Sequence, residues 1–198
     1  MRSVLIVVLF EWGLLLSSCA GIRGGSSSLP VLMVQRLDWM DEVAEAKRAK
    51  GLPITDPKRE AELLNAMMQR GTAAGLPAQK VRLFFSGQIQ AAKVRQEEWL
   101  WQHPAASGGK APDLATTIRP ALDQIGRKMI ERLAQETQEI CSSDALLIEK
   151  ETRERLAKAG YTETVAQPAL QGLIAALRRT AHEPIPTKPQ ATPTTSRR

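Results

Sequence analysis

The sequence has few of the residues on which many common functional sites depend. Aromatic residues make up 4% of the 198 residues, and there are only two histidines and two cysteines. No CxxC pair, HExxH zinc motif or GxxxxGK phosphate-binding loop is present. These absences argue against a structural zinc site, a zinc protease site and a nucleotide-binding P-loop. We expect no metal site, and we interpret His103 and His182 as surface residues.

The two cysteines, Cys19 and Cys141, could pair only if both were retained in an oxidising compartment. Cleavage or acylation at Cys19 would leave Cys141 alone, so we predict no intramolecular disulfide. Because no patterned histidine accompanies it, we interpret Cys141 as a buried small apolar residue and not as a nucleophile.

Positive charge is in moderate excess. Lys and Arg number 27 against 21 Asp and Glu, which gives a formal net charge of +6. With 43% hydrophobic and 24% charged residues, the chain can form one globular domain with a sizeable core. The positive balance favours an anionic partner, without choosing among a metabolite, a nucleic acid and a membrane surface.

Residues 1–20 have the layout of an export signal peptide, with Arg2 ahead of an apolar stretch over residues 4–16. The apolar stretch is short for a membrane span. The tetrad that ends at Cys19 resembles a bacterial lipobox, which would put a lipid anchor on that cysteine. A cut after Ala20 would instead release a periplasmic or secreted protein. We predict export, and the two outcomes stay open.

Apolar residues recur at helical spacing through most of the remaining chain, and strand-like runs are scarce. Gly51 and Pro53 end the first helix, and Asp56 with Pro57 starts the next as N-cap and first helical residue. We predict an all-α fold, a single helical-bundle domain of about six helices over residues 29–181, with a disordered Pro/Thr-rich tail over 183–198. The approximate predicted helices are 29–50, 57–72, 78–102, 114–140, 145–159 and 168–179.

Several polar side chains lie on helix faces that should be buried. At about 100° per residue, Arg36 and Lys47 fall in one stripe with Met40 and Val43. In the third predicted helix, Gln96 likewise shares the face of its apolar neighbours. Burying an unpaired charge is costly, so these positions need partners.

Arg59 and Glu60 begin the apolar stripe of the second predicted helix, and Lys128 borders the stripe of the fourth. A single inward cation is usually explained by snorkelling at the core's rim or by an internal ion pair. Several together, with few carboxylates nearby in sequence, indicate a polar, net-positive pocket between helices.

The order and spacing of these residues resemble the all-helical chorismate mutase family, and especially its exported, periplasmic or secreted members. The resemblance covers about residues 29–102 and extends more loosely to residue 133. It is carried by Arg36, Lys47, "LPITD" at 52–56, "RE" at 59–60, "GLP", "FF", "QI" and Gln96.

The resemblance implies a type II-like chorismate mutase fold and the cofactor-free rearrangement of chorismate to prephenate. Among site residues, it implies that Arg36 and Lys128 hold the substrate carboxylates through charge-assisted hydrogen bonds. Lys47 and Gln96 would donate hydrogen bonds to the ether oxygen, and Lys47 would also touch a carboxylate.

The resemblance also implies that Glu60, with Asp56 as a second candidate, accepts a hydrogen bond from the ring hydroxyl. Arg59 would support the carboxylates and Glu60. The sequence departs from the family pattern at Ala92, where a small polar side chain is usual, and at Lys128, where an arginine is common. Arg127 lies beside Lys128 and could replace it.

Two other functions stay open at this point. An isochorismate pyruvate-lyase on the same scaffold would use nearly the same pocket, with the Glu60 side distinguishing the substrates. A non-catalytic helical envelope lipoprotein would pair its inward cations with internal carboxylates and leave no cavity. We expect no nucleic-acid partner, and a homodimer is suggested only by analogy with the family.

Overall fold

The structure is a computed structural model, and it describes residues 28–105, 112–139 and 142–178. The predicted signal peptide over 1–20, the predicted tail over 183–198, both cysteines and His182 lie outside these ranges. Predictions about them therefore stay predictions.

The described residues form helices and contain no strand, so the predicted all-α fold class is confirmed. Within these residues, no helix combines the length and apolar character needed to cross a membrane.

A π-helical turn, Leu114–Ile118, precedes the fifth helix. The helices are α1 Leu29–Asp38, α2 Met40–Ala49, α3 Pro57–Ala73, α4 Ala78–Gln102, α5 Arg119–Glu139, α6 Ser142–Lys158 and α7 Glu163–Leu177.

The first predicted helix is present as two segments that meet at Trp39. The ψ angle of Trp39 is −8°, well away from the usual helical value of about −42°. The chain nevertheless stays helical from α1 into α2, because the Val43 N–H donates a hydrogen bond to the Trp39 carbonyl at 3.0 Å. Counted through this junction, the described helices are the six that the sequence predicts.

The connection from α2 to α3 follows the predicted stop and start signals. Gly51 has a φ of +61°, a left-handed conformation that suits glycine at the end of a helix. The Asp56 side chain then accepts a hydrogen bond from the Arg59 N–H at 3.0 Å, and Pro57 occupies the first helical position. Arg59 and Glu60 are thereby fixed in the first turn of α3.

The last helix begins five residues earlier than predicted. Thr162 is its N-cap, with a side chain that accepts from the Val165 N–H, and Pro168 lies inside the helix. Pro168 has no N–H to donate to Thr164, but the remaining cap and packing contacts maintain the helix. Proline was therefore not the start signal here.

α4 is the central helix, packed along much of its length against α7 and on its other sides against α2 and α3. The contact with α7 is close at Gly87, where an added Cβ would lie 2.4 Å from the Pro168 carbonyl oxygen. Phe84 and Phe85 are fully buried and pack edge to face. With α7 on one side, the opposite side of α4 is left to face a cavity.

Candidate active site

A cavity lies among α1, α2, α3, α4 and the start of α5, with about 160 Å³ of space available to the centres of water molecules. Five cationic and three acidic side chains line it, which leaves a surplus of two positive charges. The cations are Arg36, Lys47, Arg59, Lys93 and Arg119, and the acids are Asp56, Glu60 and Asp123. Apart from the amide of Gln96, the other lining side chains are apolar.

Arg36 is the most deeply buried of these cations. It lies in the last turn of α1 with only 5% of its surface exposed. Burial lowers the pKa of Arg36 to about 10, although the Asp123 carboxylate partly opposes this and the Arg59 charge adds to it. Its Nε atom has no hydrogen-bond partner among the described residues. An unsatisfied buried N–H on a charged group is costly, and an anion in the cavity would supply the missing acceptor.

Lys47 projects from the last turn of α2 into the same cavity. Its ammonium donates a hydrogen bond to the carbonyl of Ile54 in the α2–α3 connection. Burial lowers the pKa of Lys47, while the carboxylates of Asp56 and Glu60 act in the opposite direction. Since an ammonium has three donors, Lys47 can hold this loop and still donate to a ligand.

Gln96 is buried in α4, with 3% of its surface exposed. Its Nε2 donates to the Ala92 carbonyl at 2.9 Å and contacts the Met40 sulfur at 3.7 Å. Its Oε1 has no partner among the described residues. Because sulfur is a weak acceptor, a ligand oxygen that reached this N–H could replace it.

The first turn of α3 contributes a cation and a carboxylate. Arg59 lies 3.8 Å from Asp123 and 3.7 Å from Glu62, and it is about one-third exposed. The Glu60 Oε2 accepts a hydrogen bond from Lys93 of α4 at 3.3 Å. These contacts join α3 to α4 and α5 around the cavity.

The structure brings seven of the eight predicted site residues to the cavity, whereas Lys128 lies elsewhere. The seven are Arg36, Lys47, Asp56, Arg59, Glu60, Ala92 and Gln96. As the sequence departure implied, the Ala92 methyl offers no hydrogen-bond donor. The placement of these seven is observed, and their roles stay predictions.

The expectation for Lys128 needs a correction, because the side chain is exposed and does not line the cavity. Arg127, the alternative, is also exposed and outside it. α5 contributes Arg119 and Asp123 instead: Arg119 is also exposed, but unlike Arg127 and Lys128 it lines the cavity. Lys128 is nine residues beyond Arg119, which puts it about 180° around the helix and about 13 Å along it.

Sequence reasoning missed Arg119 because it directly follows Ile118 and so falls off the regular apolar stripe. The π-helical turn Leu114–Ile118 is closed by a hydrogen bond from the Arg119 N–H to the Leu114 carbonyl. It brings the adjacent side chains of Ile118 and Arg119 to the same cavity. Asp113 caps this turn and binds Lys50 at the end of α2 at 2.8 Å. The signal in the sequence was the pair of Arg119 and Asp123, whose i, i+4 spacing puts a cation and a carboxylate on the same side of α5. The π-helical turn before this pair is a second sign, since such turns are frequent at functional sites.

Among the described side chains, no group of three or more His, Cys, Asp or Glu residues could hold a metal ion. The chemistry available in the cavity is that of fixed cations, one amide and three carboxylates. This arrangement is that of a helical protein with a net-positive cavity, which suits a small organic anion.

Comparisons with known proteins agree with that class. The family model for chorismate mutase type II matches residues 28–97. Two similar relatives are named secreted chorismate mutase: one from Yersinia pestis is 29% identical over 109 residues, covering 53% of this chain and 57% of that protein. The other, from Mycolicibacterium smegmatis, is 32% identical over 106 residues, covering 52% of this chain and 58% of that protein.

The solved structure of a chorismate mutase from Burkholderia thailandensis matches more of the fold. It is 30% identical with a TM-score of 0.64, and the match covers 76% of this chain and 97% of that one. The chain therefore belongs to the chorismate mutase family. It spans somewhat more than half the length of the two relatives from Yersinia and Mycolicibacterium.

The unsatisfied charge of Arg36 leads to a stability prediction. Its lowered pKa means that folding disfavours the charged form that is present at pH 7, so this residue opposes folding at that pH. We expect Arg36→Met to raise the free energy of unfolding by about 1 to 3 kcal/mol, measured by urea denaturation without added ligand.

The matched control is Arg95→Met, because Arg95 makes two hydrogen bonds to Asp41 at 2.7 and 2.6 Å. Burial opposes its charge, yet the Asp41 carboxylate raises the pKa of Arg95 overall. This second variant should lose about 1 kcal/mol or more. Equal losses in both variants would show that Arg36 is an ordinary paired cation.

Proposed function

We propose that this protein is a chorismate mutase that converts chorismate to prephenate without a cofactor. The observation that carries the proposal is the net-positive cavity in which the buried Arg36 faces the same space as Lys47 and Gln96. Membership of the chorismate mutase family supports the choice of substrate. The surplus of two positive charges in the cavity matches the two carboxylates of chorismate.

The rearrangement needs little covalent help from a protein. Chorismate must fold into a compact conformer in which one C–O bond breaks as a C–C bond forms, and negative charge grows on the ether oxygen. A rigid cavity can enforce the conformer, and fixed donors can stabilise the developing charge. Both tasks suit a cavity built from helices, whose side chains are held by packing.

The carboxylates of the substrate are assigned to Arg36 and Arg119. Arg36 offers an unused buried N–H, and Arg119 enters the cavity from the start of α5. A guanidinium can bind a carboxylate through two parallel hydrogen bonds, which fixes orientation as well as charge. Arg59 adds positive charge beside them and is balanced in part by Asp123.

The ether oxygen is assigned to Lys47 and Gln96. Lys47 retains donors beyond its bond to Ile54, and the contact of Gln96 with the Met40 sulfur is weak enough to be replaced. Donors that strengthen as charge develops accelerate the reaction more than donors that bind substrate and transition state equally. Glu60, with Asp56 as the second candidate, is assigned to the ring hydroxyl.

The cavity also bears on the non-catalytic alternative. That alternative requires the inward cations to be neutralised by internal carboxylates with no space left between them. The described residues instead surround about 160 Å³ of accessible space with two positive charges in surplus. A ligand-binding function is therefore the better explanation.

We also propose that the protein is exported to the periplasm or secreted. Residues 1–20 have the layout of a signal peptide, and the two relatives above are named as secreted proteins. A lipid anchor on Cys19 and a cut after Ala20 are the two candidate outcomes. Mass spectrometry of the mature N-terminus decides between them.

The direct test uses protein that lacks residues 1–20. Wild-type protein should consume chorismate, measured by its absorbance, and form prephenate. Lys47→Ala should lower kcat by about 10²- to 10³-fold without unfolding the protein, since it removes a donor to the developing charge. No turnover by the folded wild-type protein would refute the mutase proposal, and pyruvate release from isochorismate alone would favour the lyase.

Arg119 and Lys128 offer a paired test of the correction on α5. Arg119→Ala should lower kcat/KM by about 10- to 100-fold, because it removes a charge-assisted contact to a carboxylate. Lys128→Ala changes a cation on the opposite side of the same helix and should leave kcat/KM within about twofold. The reverse pattern would restore Lys128 to the site and remove Arg119.

Gln96→Glu should move activity to acidic pH. A glutamate can donate to the ether oxygen only when it is protonated, and burial raises the pKa of a carboxyl group above its ordinary value of about 4.3. The variant's kcat/KM should therefore be highest at the acidic end of a pH 4–8 profile and fall as the pH rises. A variant profile that parallels the wild-type one would contradict the donor role.

A further inference from the structure

Lys93 is a lining cation that the assignments above leave without a role. It lies on α4 one residue after Ala92 and one helical turn before Gln96. Its Nζ donates to the Glu60 Oε2 at 3.3 Å, and this contact joins α4 to the first turn of α3. Both side chains are mainly buried, with about one-fifth and one-quarter of their surfaces exposed.

Glu60, the partner of Lys93, also interacts with a second cation, Lys47. The carboxylate of Glu60 is close enough to Lys47 to act on it electrostatically, in the direction that favours the charged form of Lys47. The charge of Lys93 acts on Lys47 in the opposite direction. Glu60 is therefore hydrogen-bonded to Lys93 and interacts electrostatically with Lys47, and all three side chains line the same cavity.

We propose that Lys93 is a positioning residue that holds Glu60 away from Lys47. Through its bond to Oε2, Lys93 leaves the other oxygen of Glu60 to accept from the substrate hydroxyl. It also keeps the Lys47 ammonium available to the substrate. This inference rests on the proposed mutase function and on the roles given there to Glu60 and Lys47.

Without Lys93, Glu60 would lose its present partner while its negative charge stayed in a largely buried site. An unpaired carboxylate there is costly, so it would turn toward another cation, and Lys47 is the one already in its field. That pairing would occupy a donor needed in the transition state. The effect would appear in kcat more than in KM, because the lost interaction develops during the reaction.

A double-mutant cycle tests this coupling. Lys93→Met keeps the aliphatic stem and removes the charge, and we expect kcat to fall about tenfold with KM changed by less than about threefold. Lys93→Arg keeps the charge and should retain kcat within about threefold. In the Glu60→Gln background, Lys93→Met should change kcat by less than about twofold, because a neutral amide has little tendency to pair with Lys47.

The matched control is Lys58→Met, which removes an exposed lysine on α3 that does not line the cavity. Its kinetics should equal those of the wild type. Circular dichroism and urea denaturation of each variant separate misfolding from a kinetic effect, and a variant that unfolds is replaced by Lys93→Gln in the same cycle.

Three outcomes would overturn the positioning role of Lys93. A tenfold loss that persists in the Glu60→Gln background would mean that Lys93 acts directly on the substrate. A change confined to KM would mean that it simply binds an anion, and a loss of stability with normal kcat would mean a structural ion pair. Each assumes an active wild type, so an inactive wild type would refute the proposed function first and is distinguishable from these results.

Discussion

The main constraint on this structure is a positive charge buried inside a helical bundle without a matching internal partner, which costs folding free energy. Arg36 is buried at the end of α1, and the nearby Asp123 only partly offsets its desolvation. A core evolved for stability alone would place an apolar side chain there, since well-packed apolar replacements of buried ions are often neutral or stabilising. The retained charge is therefore best explained by an anion that binds in the cavity, and the fold must be stable enough elsewhere to tolerate it.

That stability comes in part from polar contacts beside the cavity. Arg95, the neighbour of Gln96 on α4, binds Asp41 on α2 through two hydrogen bonds. The hydroxyl of Tyr161 donates to Asp38 at 2.6 Å, and the Arg95 guanidinium lies over the Tyr161 ring. Asp38 and Asp41 flank the junction at Trp39, so these contacts support the junction from which α1 and α2 direct Arg36 and Lys47 into one space. The junction is thus a supported feature of the fold, although nothing in the helical periodicity marks it.

Much of the fold and part of the site could be predicted from the sequence, because both depend on helical periodicity and local capping. A polar residue such as Gln96 on an apolar face is visible at that level, since 3.6-residue spacing fixes which face it occupies. Pro168 was misinterpreted because the Thr162 cap, six residues earlier, determines where α7 begins. Arg119 and Lys93 were missed for a different reason: neither lies on the apolar stripe of its helix. Their approach to the cavity depends on a π-helical turn in one case and on a contact between helices in the other.

The arrangement of charges explains how several cations can share one cavity. Its carboxylates are shared between cations: Asp123 acts on Arg36 and lies near Arg59, while Glu60 is bound by Lys93 and acts on Lys47. Shared carboxylates reduce repulsion among the cations without neutralising any of them fully. Under the proposed function, a dicarboxylate of the right size would complete the balance, and it would do so beside buried groups such as Arg36, where electrostatic interactions are stronger than in water. During the rearrangement the total charge does not change, but part of it moves toward the ether oxygen. A site whose donors are already fixed at that point need not reorganise as the charge moves, and this is the source of the rate enhancement that we propose for this cavity.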